Sequence, residues 1–176
     1  MHLEPFEPTN LIFIDTEFTS LDPSVGEILS LAIVKLSGEE LYLELETNAK
    51  PSAWVKRHIL PTLTAPKISQ NDAKHKICTF LGSKKPFAVA YVDNYDSLYF
   101  VKLFGEGKLP FEWMTIDFSS ILFANGIQPT KLLASDSGAK KFYKSVGIEV
   151  DRYKQHYALD DARLLRDVWL KLTQPS

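Results

Sequence analysis
The chain has 176 residues, 45% of them hydrophobic and 24% charged, ordinary values for a globular protein with one substantial core. No apolar run is long enough to span a bilayer. The single cysteine, Cys78, excludes an internal disulfide and a thiolate zinc cage. The net charge of −2 argues against a protein that coats long duplex. Met1–Pro5 has no basic stretch leading into an apolar one, so no secretory signal is expected and a reducing, cytoplasmic setting is.

In chain order, residues 1–9, with Pro5 and Pro8, read as a loose arm, and Leu11–Asp15 as a buried strand. Glu27–Lys35 and Glu40–Glu46 read as two more strands, joined by a turn at Ser37-Gly38. The second alternates polar and apolar residues, which predicts one wet face and a place at or near a sheet edge. Trp54–Leu60 and Asn71–Leu81 are predicted helices, separated by a loop holding Pro61 and Pro66. Pro86–Tyr91 reads as a strand, Asp96–Phe104 as a helix and Met114–Asp117 as a short strand. Phe118–Asn125 reads as a helix closed by Gly126. Asp136–Val146 is predicted helical, capped by Ser135 or Asp136 and ended by Gly147, and the last helix covers Tyr157–Leu172. Three strands followed by alternating helices and strands predict an α/β fold, one domain with a mixed sheet and helices on its faces.

Three places carry carboxylates that a plain fold does not need. Asp15 and Glu17 stand at the end of an apolar run, two residues apart, and so on one face if the strand continues through them. Two like charges that close are costly without a cation between them. The alternative is a strand that ends at Ile14, with both acids solvated. Asp161 falls in the helical row 161, 165, 168, 172, the face that packs inward, where a carboxylate must be paired, protonated or metal-bound. The alternative there is a structural ion pair or a cap. Asp160 falls with Arg163, Asp167 and Lys171 on the solvated face. Asp96 and Asp93 each suit the N-cap of the helix that follows.

Taken together, these segments resemble the three motifs of the DEDD 3′–5′ exonucleases in their histidine form. Ile12-Phe-Ile-Asp15-Thr-Glu17-Phe-Thr-Ser-Leu-Asp-Pro23, followed by Glu27-Ile-Leu-Ser-Leu-Ala-Ile-Val, is similar to the first motif. Val92-Asp-Asn-Tyr-Asp96-Ser-Leu looks like the second, and His156-Tyr-Ala-Leu-Asp-Asp161-Ala like the third. The resemblance spans Leu11 to Leu172, and the length and the Glu-Phe-Thr-Ser-Leu-Asp-Pro stretch look like oligoribonuclease or a compact stand-alone exonuclease of the RNase T kind. Departures are Ser20, where members often have Gly, Ser30, where they often have an acid, and a second motif carrying both Asp93 and Asp96.

The resemblance implies a ribonuclease H-like fold with a five-stranded mixed sheet flanked by helices. It also implies a site holding two Mg²⁺ or Mn²⁺ ions, hard cations that take oxygen ligands. Two such ions about 4 Å apart can stabilise both the attacking and the leaving oxygen of a phosphodiester. By resemblance Asp15 bridges both ions, Glu17 and Asp161 complete one, and Asp96 supports the other. His156 takes the proton from the attacking water, a task suited to a side chain with an ordinary pKa near 6.5. Tyr157 is the alternative base, because a sister group has tyrosine four residues before the last Asp.

Phe18, Thr16 and Leu21 are expected to meet the terminal nucleotides, partly by sequence-tolerant stacking. Lys140, Lys141, Lys144, Arg152 and Lys154 could meet phosphates or form a solvated face. The expected activity is removal of nucleoside 5′-monophosphates from the 3′ end of single-stranded or short RNA or DNA. The competing function is a catalytically idle nuclease fold that binds nucleic acid or serves in an assembly. No membrane partner is expected, and the resemblance leaves room for a homodimer, on which the sequence itself is silent.

Overall fold
The computed structural model describes residues 10–132 and 137–173. The expected arm, residues 1–9, and the expected cap at Ser135 or Asp136 lie outside the described residues. β1 (Leu11–Phe18), β2 (Ile28–Lys35) and β3 (Glu40–Leu45) form an antiparallel meander. Gly38 turns the second hairpin at a φ of 98°, a left-handed conformation open to glycine. β5 (Phe87–Ala90) lies parallel to β1, and β6 (Ile116–Asp117) parallel to β5. On the far side β4 (Lys67–Ile68) pairs parallel with the end of β3. The sheet order is β4-β3-β2-β1-β5-β6, six strands where the resemblance implies five. The extra member has only two residues and falls in the stretch read as a loop, too short to leave a periodic pattern.

The helices are α1 (Ala53–His58), α2 (Gln70–Leu81), α3 (Asp93–Phe104), α4 (Phe118–Ala124), α5 (Ser137–Ser145) and α6 (Ala158–Thr173). Leu11, Phe13, Ala32, Val34 and Val89 bury one face of the sheet against α4, α5 and α6. Ile12, Ile14, Leu31, Ile33, Ala88 and Ala90 bury the other against α2 and α3. Alternation along β1 therefore assigns odd residues to the α6 side and even residues to the α3 side. A sheet covered on both faces explains why β1, β2 and β5 read as unbroken apolar runs.

Two expectations change here. β1 does not end at Ile14 or Asp15 but runs to Phe18, because β2 stays paired with it past both acids, with a register shift between Glu17 and Phe18. β3 has no wet face at its far end: Glu44 is 1% exposed. Its carboxylate accepts hydrogen bonds from the N–H groups of Thr64 at 2.7 Å and Ala65 at 2.9 Å, and from the Tyr42 hydroxyl at 2.9 Å. Those donors make its burial tolerable.

Candidate active site
Asp15 and Glu17 occupy the odd face of β1, and Asp161 faces them from the first turn of α6. One carboxylate oxygen from each lies within 4.8 Å of the others, close enough to hold one cation. Thr16, on the even face, reaches the other way. Its hydroxyl donates to the Asp96 carboxylate at 2.6 Å, in a buried contact between β1 and α3. The acids thus converge on the end of β1 from both sides of the sheet. α3 starts at Asp93, so Asp96 lies within its first turn and is not the cap expected there. Asp93 turns away and accepts the Thr115 hydroxyl instead.

The electrostatics of this cluster are unfavourable without a cation. Burial, reinforced by the charges of Asp96, Asp161 and Glu17, pushes Asp15 well above its ordinary 3.8. Burial and the neighbouring Asp161 and Asp96 push Glu17 up to about 8. Asp161 rises to about 7 through burial, partly offset by hydrogen bonding to the backbone of Tyr157 and His156. Asp96 rises to about 7 through burial, partly offset by the Thr16 hydroxyl. Four acids with raised pKa values at one place form a donor set that fits a hard divalent ion.

The acids line a cleft of about 590 Å³ together with Thr16, Phe18, Tyr95 and His156. Phe18 stacks on Tyr99, with centroids 4.4 Å apart, and leans toward Tyr95 at 5.8 Å. Leu21 does not join them: it is 65% exposed and lies outside the cleft lining. Its loop is drawn toward α3 by Lys102, which donates to the carbonyls of Pro23 and Gly26. The Tyr99 hydroxyl donates to the Ser20 carbonyl in the same loop. Gly26 is needed there, because a Cβ would lie 2.0 Å from that hydroxyl. Of the basic residues, Lys140 lines the cleft but pairs with Asp151 at 2.7 Å, and Arg152 pairs with Glu149 at 2.6 Å. Lys154 sits over the Tyr157 ring. Lys141 and Lys144 are exposed and lie outside the cleft lining.

His156 and Tyr157 are separated by backbone geometry. His156 adopts a φ of 57°, the only positive value of a non-glycine residue among those described. That conformation costs about 1–3 kcal/mol and needs support from its surroundings. It leaves His156 at the cleft, while the Tyr157 ring packs on Tyr42 at 4.9 Å, outside the lining. Tyr157 immediately precedes α6, and its carbonyl accepts the N–H groups of Asp160 and Asp161. Burial, then the adjacent His58, lowers the His156 pKa below its ordinary 6.5, so the ring is neutral at neutral pH. Asp160 bonds Arg163 at 2.8 Å and accepts the Lys154 N–H, as suits the outer helix face.

Sequence reading missed Tyr95, Trp54 and Thr62. Tyr95 immediately precedes Asp96 and could have been taken with it. The Trp54 ring meets the His156 ring edge-on at 5.0 Å, and the Thr62 hydroxyl approaches the His156 carbonyl at 3.2 Å. Both lie about a hundred residues from His156 in the chain, so no local pattern announces them.

Comparison with known structures decides the fold. The S. pombe Pop2p structure with Mg²⁺ and Mn²⁺ bound matches with a TM-score of 0.68 at 13% identity, over 93% of this chain and 82% of that one. E. coli exonuclease I in complex with a dA16 oligonucleotide matches with a TM-score of 0.68 at 14% identity, over 94% of this chain and 41% of that one. The chain shares the fold of these two structures. In sequence it is 25% identical over 175 residues to the PolC-type DNA polymerases III of Thermotoga petrophila and Thermotoga maritima. That alignment covers 96% of this chain but only 12% of each polymerase. No family model matches. Among the described residues no helix is long and apolar enough to cross a membrane.

Proposed function
We propose that the chain is a divalent-metal-dependent 3′–5′ exonuclease that removes nucleoside 5′-monophosphates from single-stranded or short nucleic acid. The observation that carries this reading is the meeting of Asp15, Glu17 and Asp161 within 4.8 Å in a cleft where burial raises all three pKa values and repulsion within the cluster adds to it at Asp15 and Glu17. Asp15, Glu17 and Asp161 would hold one Mg²⁺ or Mn²⁺ ion, and Asp15 with Asp96 a second. When bound, the ions supply charge stabilisation at the phosphoryl oxygens and a more acidic water.

The remaining work falls to the chain's own groups. His156, neutral at neutral pH, accepts the proton of the attacking water. The Thr16 hydroxyl holds Asp96 in place by its bond at 2.6 Å. Phe18, backed by Tyr99, and Tyr95 offer aromatic surface on which a terminal base can stack whatever its identity. The cleft volume of about 590 Å³ suits a small ligand or strand end. A net charge of −2 also favours a strand end over long duplex. Exonuclease I with a dA16 oligonucleotide and Pop2p with Mg²⁺ and Mn²⁺ are consistent with the substrate class and ions proposed.

The test is digestion of 5′-labelled RNA and DNA oligonucleotides of matched sequence and several lengths, with Mg²⁺ or Mn²⁺. The expected result is stepwise shortening from the 3′ end with release of 5′-monophosphates, stopped by a chelator. Binding of the strands without cleavage, in either metal, would instead identify a catalytically idle nuclease fold.

A further inference from the structure
The residue proposed as the base is supported from outside the helix that follows it. Two contacts reach His156 from the segment between β3 and β4. Trp54, on α1, meets the His156 ring edge-on at 5.0 Å and stacks on His58 at 4.7 Å. Thr62, in a single 3₁₀ turn at Leu60–Thr62, approaches the His156 carbonyl at 3.2 Å and the Ile59 carbonyl at 2.8 Å. One hydroxyl has one proton, so Thr62 shares it between the two carbonyls and ties the turn at His156 to the end of α1. The segment has a small core of its own, in which Val55 and Ile59 pack with Leu29 of β2 and with Leu60 and Leu63.

Its far end is pinned by Glu44. The two backbone N–H groups that this carboxylate accepts, from Thr64 and Ala65, directly follow Thr62 and Leu63. Glu44 and Glu17 belong to one row across the sheet, because Glu17 opposes Ser30 and Ser30 opposes Glu44. A carboxylate buried on that face is costly unless fixed donors hold it. Here the donors come from the loop that also carries Thr62. The left-handed backbone of His156 gives this support a purpose: such a conformation persists only where its surroundings over-determine it.

We infer that Glu44 and Thr62 are positioning residues for His156, acting through the segment Trp54–Ala65 that Glu44 pins to the sheet. This rests on the reading of His156 as general base. Among the described residues no hydrogen bond joins Glu44 or Thr62 to the acid cluster, so both act by holding the imidazole where water can meet it. Small misplacements of a reacting group are expensive in rate.

The experiment is a kinetic cycle on the full chain with a 5′-labelled oligonucleotide and Mg²⁺ or Mn²⁺. Thr62→Val, which keeps the shape and removes the hydroxyl, is expected to lower kcat about ten- to hundredfold with KM unchanged. Thr62→Ser should restore it. Glu44→Ala should do as Thr62→Val does, and Glu44→Gln, which keeps an acceptor oxygen for the loop N–H groups, should recover most of the loss. The deciding measurement is Thr62→Val made in His156→Ala: acting through His156, it should cost nothing further once the imidazole is gone. Thr62→Val with parental kcat, or an equal loss with and without His156, would overturn the inference. Should Glu44→Ala fail to fold, Thr62→Val alone decides. If His156→Ala is itself fully active, the reading of the base has failed; if His156→Ala is crippled and Thr62→Val is normal, only the positioning role has.

Discussion
The acid cluster and the turn at His156 line one cleft but are built by different means. Asp15, Glu17 and Asp161 are placed by regular elements, a central strand and the first turn of a long helix, that are buried and bonded independently of the cluster. His156 sits in a turn with a left-handed backbone, supported by a tryptophan edge and a shared hydroxyl from a distant segment. Regular structure thus holds the repelling acids, and single contacts hold the proposed base. Changes at the acids should spare or raise stability while removing function, whereas changes around His156 should act in degrees.

The largest expected effect comes from Asp15, the acid central to the cluster. Asp15→Ala should lower nuclease turnover by about three orders of magnitude or more, since on the proposed mechanism it would remove a ligand at the charge-stabilising centre. Its metal-free melting temperature should equal or exceed that of the parent, because repulsion and a buried charge are both relieved. A clear loss of metal-free stability would give Asp15 a structural role instead.

Next is His156→Ala, expected to lower turnover by about two to four orders of magnitude. Stabilisation by Mg²⁺ or Mn²⁺ should survive, as His156 is not a proposed ligand. The parent rate should rise with pH along a limb centred below 6.5, because burial and His58 lower the His156 pKa, and that limb should vanish in the variant. An unchanged limb would assign it to another group.

A thermal scan against pH tests the cluster without catalysis. The folded-state pKa values of Glu17, Asp96 and Asp161, about 8, 7 and 7, lie above the ordinary 4.5, 3.8 and 3.8. Between those limits the folded chain binds more protons than the unfolded one, so these groups lower stability as pH rises. The metal-free melting temperature should therefore fall from about pH 4 to pH 8. Saturating Mg²⁺ should flatten the fall by stabilising the folded, ionised form. Asp161→Ala should shrink the metal-induced shift and Asp160→Ala should not; equal effects of the two would contradict the helix faces described above.

The smallest effect is expected from Tyr157→Phe, which should keep most of the activity because the ring packs on Tyr42 outside the cleft. An inactive Tyr157→Phe beside a nearly normal His156→Ala would reverse the assignment of the base and leave the metal ligands standing.

The amino-acid sequence by itself determined the order of the main elements, the shared face of Asp15 and Glu17 and the inward row of Asp161. It could do so because the side-chain periods of strands and helices are local. The two-residue β4 and the three added residues of β1 depend on pairing with a neighbouring strand, which no local pattern records. The sequence already favoured Asp96 over Asp93 as the second-motif acid; the tertiary structure adds the contacts that separate them, the Thr16 hydroxyl on Asp96 and the Thr115 hydroxyl on Asp93. Only the tertiary structure moved Leu21 out of the cleft, buried Glu44 on a face that alternation read as wet, and separated His156 from Tyr157 by one backbone angle. These outcomes depend on groups tens of residues apart meeting in space, and a hydrogen bond or ring contact between such groups leaves no periodic trace in the chain.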